Sequence, residues 1–542
     1  MGHRPPRMSE PMVLALAAAV LTALIVGLAP PGTDFAAHAY QRLLFARQGF
    51  GVWDNGWYAG RYQFVTYSLL YYPLASLFGI ALVAVVSQAV AVGTFAALVR
   101  DEFGAHGKWG ARTFALVWPA FVLTAAFPSG LGMMLALVAL RSLQRGRTAL
   151  ACGACALTLA ASPLAFLLLI VLLVAIALGN RVRDRRLLYP ALTVLALGAF
   201  EALLWRVFPS EGRSQFAFGA LVAVLAFCAV LVALTWGVER ARVLLWLFVL
   251  YGIITLLSYL VPSAVGDGVT RLEFAALPVV VLALSLTAGR RRPRVLVVAA
   301  LGLAAWLNVP PLASSFVAGV STSASRVSYW APAVAFLRAH ETPNYRVEAV
   351  DTVGHWPALR LARAGIPLAR GWFRQDDFPQ NAVLYGPLTP KAYVRWLHTM
   401  GVRYVVQADA TVDYSAHDEA ALLRSGRTGL RPVLRTRHLT IYEVPHAQPI
   451  VTGPGHARVV SLTRSGALLD VSRAGAYRVA IRYTPYWAVS AGCARRARDG
   501  MTRLTVPRPG RVRLVFTWTP ERALDVIAGG QASECPRHRA GS

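Results

Sequence analysis

The chain has 542 residues, of which 56% are hydrophobic, and carries a formal net charge of +28. Its mean hydropathy of +0.50 excludes an ordinary soluble protein. The charge would suit a nucleic-acid binder, but most of it falls between long apolar stretches or is scattered along the tail, so nucleic acid is not expected as a partner.

Eleven apolar stretches are expected as spans, at about 11–30, 77–99, 113–127, 129–144, 148–162, 164–180, 187–207, 216–236, 243–261, 273–289 and 295–312. The first follows a basic N-terminus, but its apolar run is longer than a signal-peptide core, so it is taken as an uncleaved span. The segments between spans alternate in basic content. One side holds Arg4 and Arg7, then Arg100, Lys108 and Arg112, then Arg141, Arg145 and Arg147. It continues with Arg181, Arg183, Arg185, Arg186, Arg240, Arg242, Arg290, Arg291, Arg292 and Arg294. The other side holds only Arg42, Arg47, Arg61, Arg213 and Arg271 before the tail. Basic residues are retained on the cytoplasmic face, so the N-terminus is expected inside and everything after about residue 312 outside. The fold class expected is a polytopic α-helical membrane protein with about 11 transmembrane helices, the N-terminus in and the C-terminus out.

Residues 31–76 form a large external loop rich in aromatics, which suits a segment lying at the headgroup level. After residue 312 the pattern becomes that of a water-facing protein. Helices are expected at 329–340, 357–365, 391–401 and 418–426, and strands at 345–351, 402–407 and 439–444, an α/β unit covering 313–450. Short β-like runs at 457–462, 467–471, 477–483, 502–506 and 512–518 predict a β-sandwich over 451–530, followed by a disordered tail at 531–542. Of the five cysteines, Cys152, Cys155 and Cys228 lie in apolar spans, while Cys493 and Cys535 fall where oxidising conditions would permit a disulfide.

Asp34 and His38 are four apart at the outer end of the first span. On a helix they would share one face, and a carboxylate beside an imidazole can take a proton from a hydroxyl. The same residues also suit a helix cap followed by a solvated histidine. Asp267 and Arg271, again four apart, lie in the external turn before the tenth span; they could pair with each other, or Arg271 could hold a phosphate bidentately. Glu201 and Arg206 are charges near the outer end of the seventh span. Arg374, Asp376 and Asp377 concentrate polar groups in the tail, suited to a sugar, a cation or a structured surface loop. No nucleotide-binding loop, metalloprotease motif or metal-spaced Cys/His cluster occurs.

Asp34-Phe-Ala-Ala-His38, Trp53-Asp-Asn-Gly-Trp-Tyr-Ala-Gly-Arg61 and Leu70-Tyr-Tyr-Pro-Leu74 together resemble the first external loop of the GT-C membrane glycosyltransferase superfamily. The subgroup they resemble is that of the YfhO-like and 6-pyruvoyl-tetrahydropterin-synthase-related membrane proteins. Gly266-Asp-Gly-Val-Thr-Arg271, Gly371-Trp-Phe-Arg-Gln375, Gly401-Val-Arg-Tyr-Val405 and Tyr483-Thr-Pro-Tyr-Trp487 are similar to later segments of that group. The resemblance implies transfer of a sugar from a polyprenyl-phosphate donor to a glycan, lipid or protein acceptor in cell-envelope synthesis, at a multi-pass protein surrounded by membrane lipids. It maps the family carboxylate onto Asp34, which His38, four residues on, is expected to orient or assist. Arg61, Asp267, Arg271, Trp57 and Tyr72 are then expected to bind substrate, and Trp372 and Trp487 to offer stacking surfaces. Many members carry a second acidic residue beside the first; here it is Phe35, which leaves a divalent metal cofactor open. Two other classes fit the same sequence: a transporter or flippase for a lipid-linked saccharide, and a non-catalytic envelope assembly protein.

Overall fold

The computed structural model describes residues 8–65, 67–180, 188–209, 212–214, 216–320 and 323–529. Arg4, Arg7, Arg181, Arg183, Arg185, Arg186, Cys535 and the tail 531–542 lie outside the described residues. The chain divides into two compact units. The first comprises 1–35, 67–201 and 213–320; the second comprises 36–66, 202–212 and 321–542.

The first unit is helical. Among the described residues, seven segments are long and apolar enough to cross a membrane: Glu10–Leu28, Ile80–Thr124, Leu188–Val207, Phe218–Thr235, Glu239–Leu260, Gly266–Thr287 and Arg294–Val320. Thr148–Ala161 and Pro163–Gly179 are shorter apolar helices. The protein is therefore polytopic and helical, with a β-rich C-terminal region. The helix 294–320 runs past the predicted end at 312, with Pro310 and Pro311 inside it. Segment 266–275 winds as a 3-10 helix and changes to an α-helix at Ala276. Buried Asn308 serves that junction: its Oδ1 accepts from Leu277 N at 3.0 Å, and its Nδ2 donates to Glu273 O at 2.7 Å. Without such a partner, backbone groups freed at the change of helix type would be left unpaired in an apolar core.

The second unit holds a mixed sheet and a sandwich. Strand Arg346–Ala349 runs parallel to Val402–Ala408, which pairs antiparallel with Leu439–Glu443, itself antiparallel to Arg431–Arg435. Helices Val327–His340, Trp356–Arg363, Pro390–Met400 and His417–Arg424 accompany this sheet. Two four-stranded antiparallel sheets follow. One is ordered 493–496, 501–506, 475–482, 451–452, the other 487–489, 510–516, 466–471, 457–463. Their inward residues, Val459, Leu469, Val479, Ile481, Leu504 and Leu514, alternate along the strands and close one core.

The aromatic-rich loop 31–76 contributes to the core of the second unit. From Ala36 to Thr66 it belongs to the second unit. Its helix Phe35–Gln48 buries Ala36, Ala37, His38, Tyr40, Gln41 and Leu44. Trp53 enters the sandwich core, 5.3 Å from the Trp487 ring and 5.7 Å from Phe516. Aromatic rings bury large areas, and here that area is spent inside the unit. Trp487 is correspondingly a core residue rather than a stacking surface.

Cys493, in strand Cys493–Arg496, is disulfide-bonded, whereas Cys152, Cys155 and Cys228 are free thiols. Cys493 is therefore expected to resist alkylation in native membranes and to react with a maleimide only after reduction, as mass spectrometry of the labelled peptide would record.

Candidate functional site

Asp34 is positioned by a close backbone approach. Helix Glu10–Leu28 ends with Ala29 N donating to Ile25 O at 2.8 Å, and Pro30-Pro31 prevent its continuation. Gly32 then passes so near residues 123–125 that a Cβ would lie 2.1 Å from Leu123 O. Only glycine fits, and the contact is pinned by Asp34 N donating to Thr124 O at 3.3 Å. Asp34 stands one residue before helix Phe35–Gln48, so the shared helical face expected with His38 is not imposed by that helix. His38 lies on the helix, 1% exposed.

Arg271 projects from the 3-10 segment Gly266–Ala275. Asp267, four residues away on the same segment, acts on the Arg271 charge, as does Tyr67. Arg271 Nη2 lies 3.5 Å from Asp34 Oδ2, and its Nη1 donates to Ser129 Oγ at 2.8 Å. Asp267 Oδ1 accepts from Ser214 Oγ at 2.9 Å. Ser129 begins the helix Phe127–Gln144. The Asp34 and Arg271 side chains are 22% and 26% exposed, so an incoming anion or hydroxyl can reach both. Leu272 and Ala275, beside Arg271, line an apolar cavity of 360 Å³ whose walls also include Phe95, Trp118, Met133, Leu137 and Tyr251.

The remaining sequence-predicted residues are placed elsewhere. Tyr72 is buried in helix Tyr71–Phe78, edge-on to Tyr71 at 5.4 Å. Glu201 and Arg206 lie on helix Leu188–Val207, and Arg206 Nη2 reaches Ile527 O at 3.4 Å. Trp57 is fully buried: it stacks on Tyr40 at 4.2 Å, its Nε1 donates to Ala358 O at 3.0 Å, and a Cβ on Gly371 would strike its ring at 2.3 Å. That packing leaves no ring face for a sugar. Arg61 is buried against Asp376, with Nε 2.6 Å from Oδ2, and its guanidinium lies 4.5 Å from the Phe373 ring centre. The two neighbouring carboxylates diverge rather than chelate: Asp376 takes Arg61, while Asp377 accepts from Asn381 Nδ2 at 2.9 Å and Tyr385 Oη at 2.6 Å. Arg374 Nη2 donates to Asp413 Oδ2 at 2.7 Å and its guanidinium covers the Tyr414 ring at 4.0 Å.

Sequence reasoning missed the interior of the second unit. Arg370 Nε lies 2.9 Å from Glu348 Oε1, and its Nη2 lies 2.7 Å from Glu419 Oε2. Tyr393 Oη donates to Glu419 Oε1 at 2.7 Å. Burial pushes the Glu348 and Glu419 carboxyls up, against the pull of Arg370. Burial opposes the charge of Arg370 too, but the two glutamates outweigh it and raise its pKa. The signal available in the sequence was three charges whose partners lie far along the chain, and no local period joins them.

Among the described residues, one group could converge on a metal ion: Asp351, His355 and Asp413, all buried. Their ligand atoms already have partners. Asp351 Oδ2 meets His355 Nδ1 at 2.7 Å and its Oδ1 accepts from Thr352 N at 2.9 Å. Asp413 accepts from Arg374 and from Ser415 N and Oγ. The Arg374 guanidinium supplies positive charge where a cation would sit.

Glu341 caps the C-terminal end of helix Val327–His340, where the helix dipole disfavours an anion. Burial pushes its carboxyl up to about 8, and the Thr342 N–H and Arg403 only partly oppose this. The folded chain then binds more protons than the unfolded chain between the ordinary glutamate pKa and about 8. Stability conferred at low pH is lost as pH rises through that window. Glu341→Gln is expected to flatten the fall of the unfolding midpoint above pH 5 and to stabilise the protein at pH 9 by on the order of 2 kcal/mol, as thermal unfolding in detergent would measure.

No protein-family model matches the chain, and no curated protein matches it in sequence. Among solved structures, the chain is similar to the arabinofuranosyltransferase AftD from Mycobacteria, with a TM-score of 0.46 and 14% identity over 95% of this chain. It spans 58% of the length of that protein. It is also similar to ArnT from Cupriavidus metallidurans bound to undecaprenyl phosphate, with a TM-score of 0.38 and 15% identity over 82% of this chain and 99% of the other.

Proposed function

We propose that the protein is a membrane glycosyltransferase that moves a sugar from a polyprenyl-phosphate donor to an extracytoplasmic acceptor. The observation that carries this reading is the meeting of Asp34 and Arg271 at 3.5 Å in an accessible part of the membrane unit. Before the donor binds, the two charges satisfy each other. A donor phosphate would take the Arg271 guanidinium, which matches it bidentately, with Ser129 beside it. Asp34 is thereby released to accept the proton of the acceptor hydroxyl. The acceptor oxygen forms its bond to the anomeric carbon as the carbon–oxygen bond to phosphate breaks, with inversion. The bonding electrons leave on the phosphate, where Arg271 stabilises the charge. The apolar cavity beside Leu272 and Ala275 offers the isoprenoid chain a place out of water.

Asp267 holds the turn that carries Arg271 through Ser214. In this reading the N-terminus is cytoplasmic, the chain crosses eleven times, and the C-terminal region is extracytoplasmic, where a lipid carrier delivers sugars that nucleotide donors cannot. The test is release of free polyprenyl phosphate by the purified protein given a lipid-linked sugar and an envelope extract. Movement of intact lipid-linked saccharide across a vesicle without release would replace transfer by transport.

A further inference from the structure

In the second unit, helix Pro390–Met400 presents Lys391, Val394, Arg395, His398 and Thr399 at spacings of three and four, one continuous face. That face forms one wall of an open cavity of 450 Å³; Gln448, Thr452 and Arg478 form the other. From Lys391 to Thr399 the helix rises about 12 Å, so the cavity is a groove rather than a point site. Four of its eight lining residues are Lys, Arg or His, and none is acidic.

The geometry fixes part of this charge and leaves part of it available. Arg478 is held in place by Asp499 at 2.7 Å and by Thr399 O at 2.8 Å, and His398 Nε2 engages Pro445 O at 3.1 Å. Lys391 and Arg395 are exposed. Lys391 sits in the first turn of the helix, where no acidic residue offsets the positive end of the helix dipole. A cation there is unfavourable until an anion lies against it.

We propose that this groove binds an acidic polysaccharide, its carboxylate or phosphodiester groups spaced along Lys391 and Arg395. The inference is independent of the transfer reaction. A membrane surface fits less well, because Val394 is the one apolar side chain in the lining. Single-stranded nucleic acid fits less well, because the lining offers no aromatic ring on which a base could stack.

The test measures binding of fluorescein-labelled oligogalacturonate to the full-length protein in neutral-lipid nanodiscs across a salt series. Wild type is expected to bind with an affinity that falls steeply with salt. Lys391→Gln/Arg395→Gln is expected to weaken binding at least tenfold and to shallow the salt slope. Arg435→Gln/Arg437→Gln, exposed elsewhere in the unit, should leave both unchanged. Equal binding by the groove variant, equal binding of neutral dextran oligomers, or full displacement by inorganic phosphate or anionic-lipid vesicles at matched charge would each overturn the proposal. All four residues are on the surface, and matching unfolding midpoints would establish that the variants remain folded.

Discussion

Asp34→Asn is expected to abolish release of polyprenyl phosphate, with turnover falling 10²–10⁴-fold or below detection, while expression and membrane insertion stay normal. The amide keeps the size of the side chain and can still accept a hydrogen bond from Arg271, but it cannot take up a proton. Arg271→Gln is expected to fail differently. Without the guanidinium the leaving phosphate loses its charge partner, so both donor affinity and turnover should drop. Arg271→Lys restores charge without the planar fork, and an intermediate rate is expected. Undiminished turnover in Asp34→Asn would refute the assignment.

Arg370→Met is expected to carry the largest structural cost, about 3–5 kcal/mol, enough to reduce the yield of folded protein severely. Arg370 and its partners Glu348 and Glu419 are at most 5% exposed, so removing the cation leaves two buried carboxylates with no counter-charge at these positions and only Tyr393 Oη still donating to Glu419. The sign of the pH dependence follows. Burial already raises both carboxyls, and losing Arg370 raises them further. Below the ordinary glutamate range both states are protonated, so the defect should shrink in acid and be complete at neutral pH. Adding Glu348→Gln and Glu419→Gln to the variant should recover part of the loss. Unfolding midpoints at pH 4.5 and 7.5, followed by tryptophan fluorescence, would check both expectations.

Much of the secondary structure was legible along the chain because it is set by local period. The apolar stretches coincide with helices. The strands at 402–408, 439–443, 466–471 and 510–516 fall within about two residues of the alternating runs that predict them. The strand Arg431–Arg435 was not legible: it is exposed at the sheet edge and carries Pro432, so it shows no buried alternation. Helix Phe35–Gln48 was read as part of a loop because its fully buried residues include His38 and Gln41, which break the apolar stripe.

The sequence by itself indicated a polytopic helical membrane chain with a β-rich C-terminal region, and it singled out Asp34 and Arg271 separately. Hydropathy, charge alternation and side-chain period are properties of neighbours along the chain, and they survive without knowledge of the fold. Tertiary structure alone decided that Asp34 meets Arg271, that Arg61 is spent on Asp376, and that Trp57 and Trp487 are core rather than binding surface. Those outcomes depend on which distant segments pack together. A guanidinium or an indole looks the same in sequence whether it faces a ligand or a partner within its own unit.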